Sequence, residues 1–301
     1  MADEFIEDVF AAIQSGEIQS GWRTGFTLMD RLLRPAYGPR SFTIFGAYTN
    51  QGKTQVASEM AIESAKQGPT LYVTLESSPE AIFNRQVAKL CGIPATRIAE
   101  RDLQQDDDIN EVTSVVNAAA QLGELPLEHQ SLERLDDIEA YIADMSIRYD
   151  FAPGMVFIDD MDSLAEYMKA ENEWAKIRKV SIGLLRLGLR TGWGIVALKQ
   201  FRMPTEARGI SSSQKLYDLL TPTIMSFEGG GAPAQKGGNI ISMLSSDWVR
   251  SKVYQDFSHP ELQDGYVYFR KLKARDARSS NVVEIALPFN ADVPRFEDRT
   301  I

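Results

Sequence analysis

One short segment, which has the pattern of a phosphate-binding loop, limits what this chain can fold into more than any other feature. An apolar run at 42–45 predicts a buried strand, and a helix is predicted to begin at Lys53 and to run toward Gln67. Between them lies AYTNQGKT (residues 47–54), in which alanine stands where such loops usually have their first glycine. Backbone N–H groups of such a loop, together with the N-terminus of the following helix, cradle anions.

The last two residues of this loop carry its chemistry. Lys53 would place a positive charge at the β- and γ-phosphates of a nucleoside triphosphate, and Thr54 would place a hydroxyl where Mg²⁺ binds. The alternative is an ordinary turn that contains Gly-Lys-Thr by chance, which the flanking strand and helix disfavour. The predicted nucleotide-binding residues are Asn50, Gln51, Gly52, Lys53, Thr54 and Gln55.

Composition excludes several other classes of protein. The 301 residues fit one large α/β domain or two small ones. A formal net charge of −10 argues against a surface coated with basic groups for nucleic acid, but it leaves room for a local basic channel. The single cysteine, Cys91, fits a reducing compartment, and the two histidines lack partners at the spacing of a zinc site. No apolar run reaches about 18 residues, so no membrane span is predicted.

Apolar strands alternate with helical patterns through the first two thirds of the chain. This alternation predicts a parallel sheet covered by helices on both faces. After residue 200 strands recur at short intervals without long helices between them, and we expect those strands to extend the sheet in antiparallel fashion. The strands predicted after the phosphate loop are 71–75, 155–158, 195–198, 239–244, 266–271 and 282–287.

Polar residues stand at or just beyond the ends of three of these strands. In an open parallel sheet ligands bind beyond the carboxyl ends of the strands, so Glu76, Asp159 and Gln200 are expected to gather with Lys53 and Thr54 at one rim. Asp159 would hold Mg²⁺ directly or through water, Glu76 would orient and polarise the attacking water, and Gln200 would contact the γ-phosphate. This set suffices for hydrolysis of a nucleoside triphosphate.

The acidic pair at the end of the third strand has a second interpretation. An Asp-Asp pair after a strand is often a solvated turn or a helix cap. If Asp159 binds the metal, Asp160 is predicted to point away from it, because neighbouring side chains of a strand face opposite sides.

Seven segments follow one another in an order that is typical of a known family. They are Thr24-Gly25-Phe26 with Asp30-Arg31-Leu32, Ala47 to Thr54, Leu75-Glu76-Ser77-Ser78 with Arg85, Ile158-Asp159-Asp160, Ala197-Leu198-Lys199-Gln200, Lys273-Ala274-Arg275 and Arg295-Phe296-Glu297. In this order they resemble the C-terminal ATPase domain of the DnaB-type replicative helicases, in the RecA-like superfamily of hexameric ring motors. The resemblance covers about residues 21–297.

The resemblance implies a fold, a reaction and partners. The fold would be α/β, with a RecA-like P-loop NTPase core, a mostly parallel sheet flanked by helices, and antiparallel C-terminal strands. The chain would hydrolyse ATP with Mg²⁺ and act as a helicase or translocase on single-stranded DNA in replication. A homo-oligomer, expected to be a hexamer, would hold ATP between subunits, and a primase or a helicase loader would be a further partner. The expected location is the cytoplasm of a bacterial cell, whether the gene is bacterial or phage-encoded.

The resemblance also divides the chain and assigns residues that act between subunits. Residues 1–20 would form a linker that docks on a neighbouring subunit, and residues 21–301 the ATPase domain; a helix packed on its own domain is the alternative for the first segment. Lys273 and Arg275 would reach the neighbouring subunit's nucleotide as catalytic residues. A solvated strand edge, where lysines discourage aggregation, is the alternative for Lys273.

The DNA-binding part of the family pattern is altered in this chain. Where the family has an Arg-Glu-Ser-Gly stretch, residues 220–223 read Leu-Thr-Pro-Thr, and the Asn-Gly that follows Lys-x-Arg in the family is Asp-Ala at 276–277. Contacts to a single strand need cations along a groove. The candidate cations are Arg202, Arg208, Lys215 and Lys236.

Two other functions fit the same sequence. The first is a RecA-like ATPase that does not unwind DNA, such as a recombinase or a loader. The second is a regulatory oligomeric ATPase without DNA, which the acidic net charge favours.

Overall fold

Nine strands form one sheet in the part of the chain that the computed structural model describes. The described residues are 21–33, 37–104, 110–207, 212–227, 238–252, 262–273, 282–290 and 295–297. The strands are β1 (Phe42–Ala47), β2 (Thr70–Thr74), β3 (Leu127–Gln130), β4 (Met155–Asp159), β5 (Gly194–Gln200), β6 (Asn239–Ser245), β7 (Tyr266–Lys273), β8 (Glu284–Asn290) and β9 (Arg295–Phe296).

Helices connect and cover these strands. They are α1 (Thr27–Leu33), α2 (Lys53–Ala65), α3 (Pro79–Cys91), α4 (Ala95–Glu100), α5 (Glu111–Gly123), α6 (Leu135–Arg148), α7 (Met161–Glu166), α8 (Glu173–Thr191), α9 (Ser213–Leu220) and α10 (Ser246–Lys252), with 3₁₀ turns at Thr205–Ala207 and Ile224–Ser226. No helix of the described ranges is long and apolar enough to cross a membrane.

The strand order is β3-β2-β4-β5-β1-β6-β7-β8-β9. The first six in this order are parallel, and β7, β8 and β9 are antiparallel to their neighbours. The predicted mixed sheet is therefore confirmed, but β6 was wrongly expected to be antiparallel. The connection from β5 to β6 is long and contains α9, which gives it the length that a parallel crossover needs.

The sheet core is buried on both faces, as its near-continuous apolar strands require. Along β4, Met155 and Phe157 pack with the side chains of α2, whereas Val156 and Ile158 pack with those of α8 on the other face. The predicted two-sided coverage by helices is confirmed. Polar groups of the parallel strands can consequently reach solvent or a ligand only at the strand ends.

Gly52 joins the phosphate-loop segment to α2, and its backbone geometry explains the glycine. It is the N-cap of α2 with φ of 86°, a left-handed conformation that side chains rarely adopt. The turn that aims the N-terminus of α2 at the end of β1 thus depends on this residue.

A buried charge ties the last described strand to two helices. Glu59 on α2 lies 2.5 Å (Oε2) from Lys89 Nζ on α3, and its Oε1 accepts a 2.9 Å hydrogen bond from the backbone N–H of Phe296. Lys89 Nζ in turn donates to the Phe296 carbonyl at 2.8 Å. Burial raises the pKa of Glu59, and the Lys89 charge opposes that rise. The helix that carries the phosphate loop is therefore fixed to α3 and β9 together.

One short helix was missed, and one alternative stays open. Helix α4 was not predicted, because it has six residues, follows Pro94 directly and contributes no fully buried side chain that would mark a periodic pattern. Strand β7 lies between β6 and β8 over residues 266–270, whereas Lys273 at its end is in register with Ile240 of β6, so the strand-edge alternative for that end of β7 stays a prediction.

His129 on β3 is the one histidine of the described residues. Its ring stands edge-on to Phe83 and its Nε2 lies 2.8 Å from Gln86 Oε1. Burial lowers its pKa to about 4. The folded protein therefore takes up this proton at a much lower pH than the unfolded chain, whose histidine has its ordinary pKa of about 6.5.

The free energy of unfolding should consequently fall as the pH is lowered from about 6.5 toward 4, since the unfolded state binds the proton first. Between pH 7.5 and 5.5 we expect His129 to account for about 1 kcal/mol of this loss. Urea unfolding of the protein and of His129→Gln at both pH values measures the difference. Equal pH dependence in the two proteins would contradict the assignment.

Candidate functional site

The carboxyl ends of four neighbouring strands carry the predicted site residues. Parallel pairing sets Ala47 at the end of β1 beside Gln200 at the end of β5, and Thr74 at the end of β2 beside Asp159 at the end of β4. A cleft of about 580 Å³ opens above these ends. Its lining consists of Thr49, Asn50, Gln51, Gly52, Lys53, Thr54, Gln55, Glu76, Ser77, Arg85, Pro94, Ala95, Thr96, Gln200 and Phe289.

Lys53 begins α2 and is nearly buried, with 8% of its surface exposed. Its Nζ lies 3.8 Å from Asp160 Oδ2. The prediction that Asp160 points away from the site is wrong, because the alternation of strand side chains does not extend past the end of β4. Asp160 is instead the N-cap of α7, where its Oδ1 accepts a 3.0 Å hydrogen bond from the N–H of Ser163.

Asp159 is buried directly behind the loop. Its Oδ2 accepts a 3.0 Å hydrogen bond from the Tyr72 hydroxyl. Burial raises the pKa of Asp159, and hydrogen bonding from Thr54 and Tyr72 opposes that rise. Thr54 thus favours the charged form of Asp159. The second carboxylate oxygen, Asp159 Oδ1, has no hydrogen bond of regular geometry.

These residues fit a magnesium ion. Asp159 Oδ1 and Asp160 Oδ2 are both buried carboxylate oxygens without a hydrogen-bond partner, and unsatisfied buried groups of this kind are costly. Asp159 and Thr54 would supply protein oxygens. Among the described residues there is no cluster of three or more acidic, histidine or cysteine side chains suited to a metal. Mg²⁺ commonly takes one or two protein carboxylates and completes its shell with phosphates and water.

Glu76 lines the cleft just beyond β2, on the same side as Lys53. Its partial burial raises its pKa, and the nearby Asp160 carboxylate raises it further, whereas Lys53 lowers it. A carboxylate with a raised pKa is a better proton acceptor than an ordinary surface glutamate. The Glu76 carboxylate therefore lies where a water molecule inside the cleft could reach it.

The side chain of Gln200 reaches from the end of β5 to the phosphate loop. Its side-chain Nε2 donates a 2.8 Å hydrogen bond to Thr49 Oγ1, and its backbone N–H donates a 3.0 Å bond to Asp162 Oδ2. Asp162 also pairs with the fully buried ammonium of Lys199. Burial raises the pKa of Asp162 and the Lys199 charge opposes it. This pair connects the segment after Asp159 to the end of β5.

The other predicted loop residues divide between the cleft and its support. Asn50 has φ of 62°, as a tight anion-binding loop allows. Gln51 is buried, and its Oε1 accepts a 3.4 Å hydrogen bond from the N–H of Ser245, which fixes the loop to β6. Gln55 Nε2 donates to Glu59 Oε1 at 2.9 Å. Both glutamine side chains therefore hold the loop and α2 in place, and their contact with a nucleotide stays a prediction.

Several cleft residues were missed from the sequence. Thr49 lies inside the loop motif, so its position was a usable signal, whereas Pro94 and Thr96 depend on the unpredicted α4. Phe289 at the end of β8 comes from a strand distant in the chain, and no local pattern indicates it. Tyr72 does not line the cleft but contacts Asp159, and from the sequence it was predicted only as an apolar strand residue.

Lys273 lies far from the cleft of its own chain. It ends β7 and pairs with Ile240 near the beginning of β6, whereas Ser245 at the other end of β6 contacts the loop. Five residues of strand separate these two levels, which is roughly 16 Å. Lys273 therefore does not join Lys53 in one site within a single chain.

The candidates for DNA binding are only partly described. Arg202 lies in a groove of about 630 Å³ beyond β5, together with the carboxylates of Glu206 and Asp218. Lys215 is exposed on α9. Arg208, Lys236, Arg275 and the first 20 residues lie outside the described residues, so those predictions have no structural counterpart here.

The contact between Lys53 and Asp160 yields a test of the cleft's electrostatics. In Asp160→Asn an entering triphosphate no longer competes with a carboxylate for Lys53, and the amide oxygen still caps α7. We expect roughly 3- to 10-fold tighter nucleotide binding without divalent cations. Titration with a fluorescent triphosphate measures the dissociation constant, and unchanged or weaker binding would contradict the effect of this ion pair.

Two curated bacterial proteins are similar to this chain. Replicative DNA helicase DnaB of Haemophilus influenzae is 24% identical over 204 residues, and that of Treponema pallidum is 23% identical over 231 residues. These alignments cover 67% and 75% of this chain but 43% and 48% of the relatives. The chain thus spans about half the length of the curated relatives it matches.

Solved structures show the same fold. A solved ATPase domain superposes with a TM-score of 0.81 over 99% of both chains at 19% identity. A DnaB-like replicative helicase, solved in a study of its interactions with primase, superposes with a TM-score of 0.79 over 98% of this chain and 68% of that chain at 19% identity. The family model for the DnaB-like helicase C-terminal domain matches residues 21–298. The chain therefore belongs to the DnaB-like helicase C-terminal domain family, as the order of its motifs predicted.

Proposed function

We propose that this chain is an ATP-dependent, ring-forming helicase or translocase that acts on single-stranded DNA during replication. The observation that carries the proposal is the meeting of Lys53, Thr54, Glu76 and Gln200 at one cleft, with Asp159 directly behind Thr54. The family to which the chain belongs supports the same reaction. ATP with Mg²⁺ is the proposed substrate.

The residues named above each have a role in the proposed hydrolysis. The loop N–H groups, the N-terminus of α2 and Lys53 bind the β- and γ-phosphates. Thr54 and Asp159 would hold Mg²⁺, which supplies neutralisation of the charge that develops on the phosphate oxygens. Glu76 orients the attacking water and accepts its proton. Gln200, tethered to Thr49 in this structure, exchanges that bond for the γ-phosphate and so senses its presence.

The position of Lys273 supports catalysis between subunits. At roughly 16 Å along the sheet from its own phosphate loop, it is better placed to serve the nucleotide of another copy. Arg275 follows two residues later and would act with it. An interface in which the end of β7 meets the next copy's cleft is heterologous, and such an interface generates a ring when the rotation between copies closes. A hexamer is the proposed ring.

The DNA contacts belong to the same proposal. The described groove beside Arg202 also holds two carboxylates, so further cations are needed to bind a phosphate backbone. Lys215, Arg208 and Lys236 are the proposed sources, with the ring bringing six copies together. A primase or a helicase loader is a proposed partner, and one structural relative was solved in a study of its interactions with primase.

A forked duplex with one free single-stranded tail tests the function. The protein with ATP and Mg²⁺ should separate the strands, and Glu76→Gln should bind ATP normally but hydrolyse it about 10²- to 10⁴-fold more slowly and leave the fork intact. Fluorescence dequenching of a labelled strand measures unwinding. Phosphate release measures hydrolysis.

The alternatives predict other results in this experiment. ATP hydrolysis that single-stranded DNA stimulates, without strand separation, would favour a recombinase-like or loader ATPase. Hydrolysis that single-stranded DNA does not change at low salt would favour a regulatory ATPase. No hydrolysis by the unmodified chain would refute the proposal.

Mixing two inactive variants tests catalysis between subunits. Lys53→Ala lacks its own nucleotide site but keeps Arg275, whereas Arg275→Ala keeps the site but lacks the residue offered to its neighbour. In randomly mixed oligomers about one interface in four combines an intact site with an intact Arg275. We therefore expect the mixture to regain up to about a quarter of the normal ATPase rate, while each variant alone stays inactive.

The control mixture pairs Lys53→Ala with Glu76→Gln, whose defects lie in the same site and should not complement. Normal turnover by Arg275→Ala alone, or no recovery on mixing, would remove the role of Arg275 between subunits.

A further inference from the structure

Tyr72 is a fully buried tyrosine in the middle of β2, one strand away from the metal-binding aspartate. Its ring lies parallel to that of Phe157 on β4, with the ring centroids 6.0 Å apart and the planes 5° apart. On its other side it neighbours His129 of β3, at 6.1 Å between centroids. The three rings form a row across one face of the sheet and fix the direction of the Tyr72 ring.

This orientation brings the Tyr72 hydroxyl to Asp159. Backbone pairing sets Tyr72 opposite Phe157, and Asp159 lies two residues further along β4 on the same face. The hydroxyl is 3.0 Å from Asp159 Oδ2 and 3.5 Å from the carbonyl oxygen of Thr54. It therefore contacts both proposed metal-binding residues, while Tyr72 itself is not among the residues that line the cleft.

We propose that Tyr72 is a positioning residue for the metal site. Its hydroxyl holds Asp159 Oδ2 by a hydrogen bond and thereby presents Asp159 Oδ1 to Mg²⁺. This inference rests on the proposed function, because it concerns how that site holds its cation. With Oδ2 occupied by the Tyr72 hydroxyl, Oδ1 is the buried oxygen left without a partner, and it belongs to the same carboxyl group that Thr54 stabilises.

The chemistry of the pair supports this role. The Tyr72 phenol O–H is a hydrogen-bond donor and the Asp159 carboxylate is an acceptor, and the two groups are 3.0 Å apart. A carboxylate that accepts one fixed hydrogen bond cannot rotate freely about its Cβ–Cγ bond. Partners of this kind orient metal ligands, and their loss typically costs 10- to 100-fold in metal affinity.

Tyr72→Phe tests the inference because it removes one oxygen atom and keeps the ring stack. The experiment titrates Mn²⁺ into the full chain with a non-hydrolysable ATP analogue and follows free Mn²⁺ by electron paramagnetic resonance. We expect about tenfold weaker Mn²⁺ binding in Tyr72→Phe. Binding of the analogue without divalent cations should stay unchanged, since the Tyr72 hydroxyl contacts neither the Lys53 ammonium nor the N–H groups of the loop.

The matched control is Tyr37→Phe. Tyr37 is also a buried tyrosine with a single side-chain hydrogen bond, 2.7 Å to Ser64 Oγ near the opposite end of α2. Removal of the Tyr37 hydroxyl should leave Mn²⁺ binding unchanged. This result would separate metal positioning from a general loss of stability. Thermal unfolding of both variants shows whether they are folded to the same extent.

A second pair of variants keeps the test decisive if Tyr72→Phe is destabilised. In the Asp159→Asn background Tyr72→Phe should not weaken Mn²⁺ binding further, because the group it positions is gone. Normal Mn²⁺ affinity in Tyr72→Phe, or an equal loss with and without Asp159, would overturn the inference alone. Absence of Mn²⁺–nucleotide binding by the unmodified chain would overturn the proposed function and the inference with it.

Discussion

The parallel pairing of β2, β4, β5 and β1 is the constraint on which the rest of this structure depends. Because these strands are buried on both faces, their side chains cannot be polar along most of their length. Because they run in one direction, their polar terminal residues emerge together. The cleft is thus a geometric consequence of the backbone: Lys53 follows one strand, Glu76 another, and Asp159 and Gln200 end the remaining two.

Charge balance is the second determinant of the site. Four carboxylates, those of Glu76, Asp159, Asp160 and Asp162, act on one another across the strand ends, and the described lysines opposite them are Lys53 and Lys199. Lys199 pairs with Asp162, which leaves Lys53 and the cleft residue Arg85 opposite the other three carboxylates. A divalent cation and its phosphates would therefore enter a region that already favours positive charge close to Asp159. This imbalance is a physical reason for coupled binding of metal and nucleotide.

Much of the fold was accessible from the sequence, and the reasons are local. The apolar runs at β1, β4 and β5 and the loop before Lys53 have short-range signatures, and the alternation of strands and helices indicates parallel pairing. The features that escaped prediction depend on contacts between distant segments, or on the alternation of strand side chains where the strand has already ended. Asp160 lies past the strand to which side-chain alternation applies, β6 takes its direction from a long crossover, and Phe289 arrives from the far end of the chain.

The attachment of Phe296 to Glu59 and Lys89 has a mechanical consequence. Helix α2 carries the phosphate loop, and α3 follows the segment that carries Glu76; the buried ion pair and the backbone of β9 clamp these two helices to each other. The loop and the glutamate therefore belong to one stiff wall. The side chain of Gln200 is held to this loop by one hydrogen bond to Thr49, so it can be released without displacing that wall.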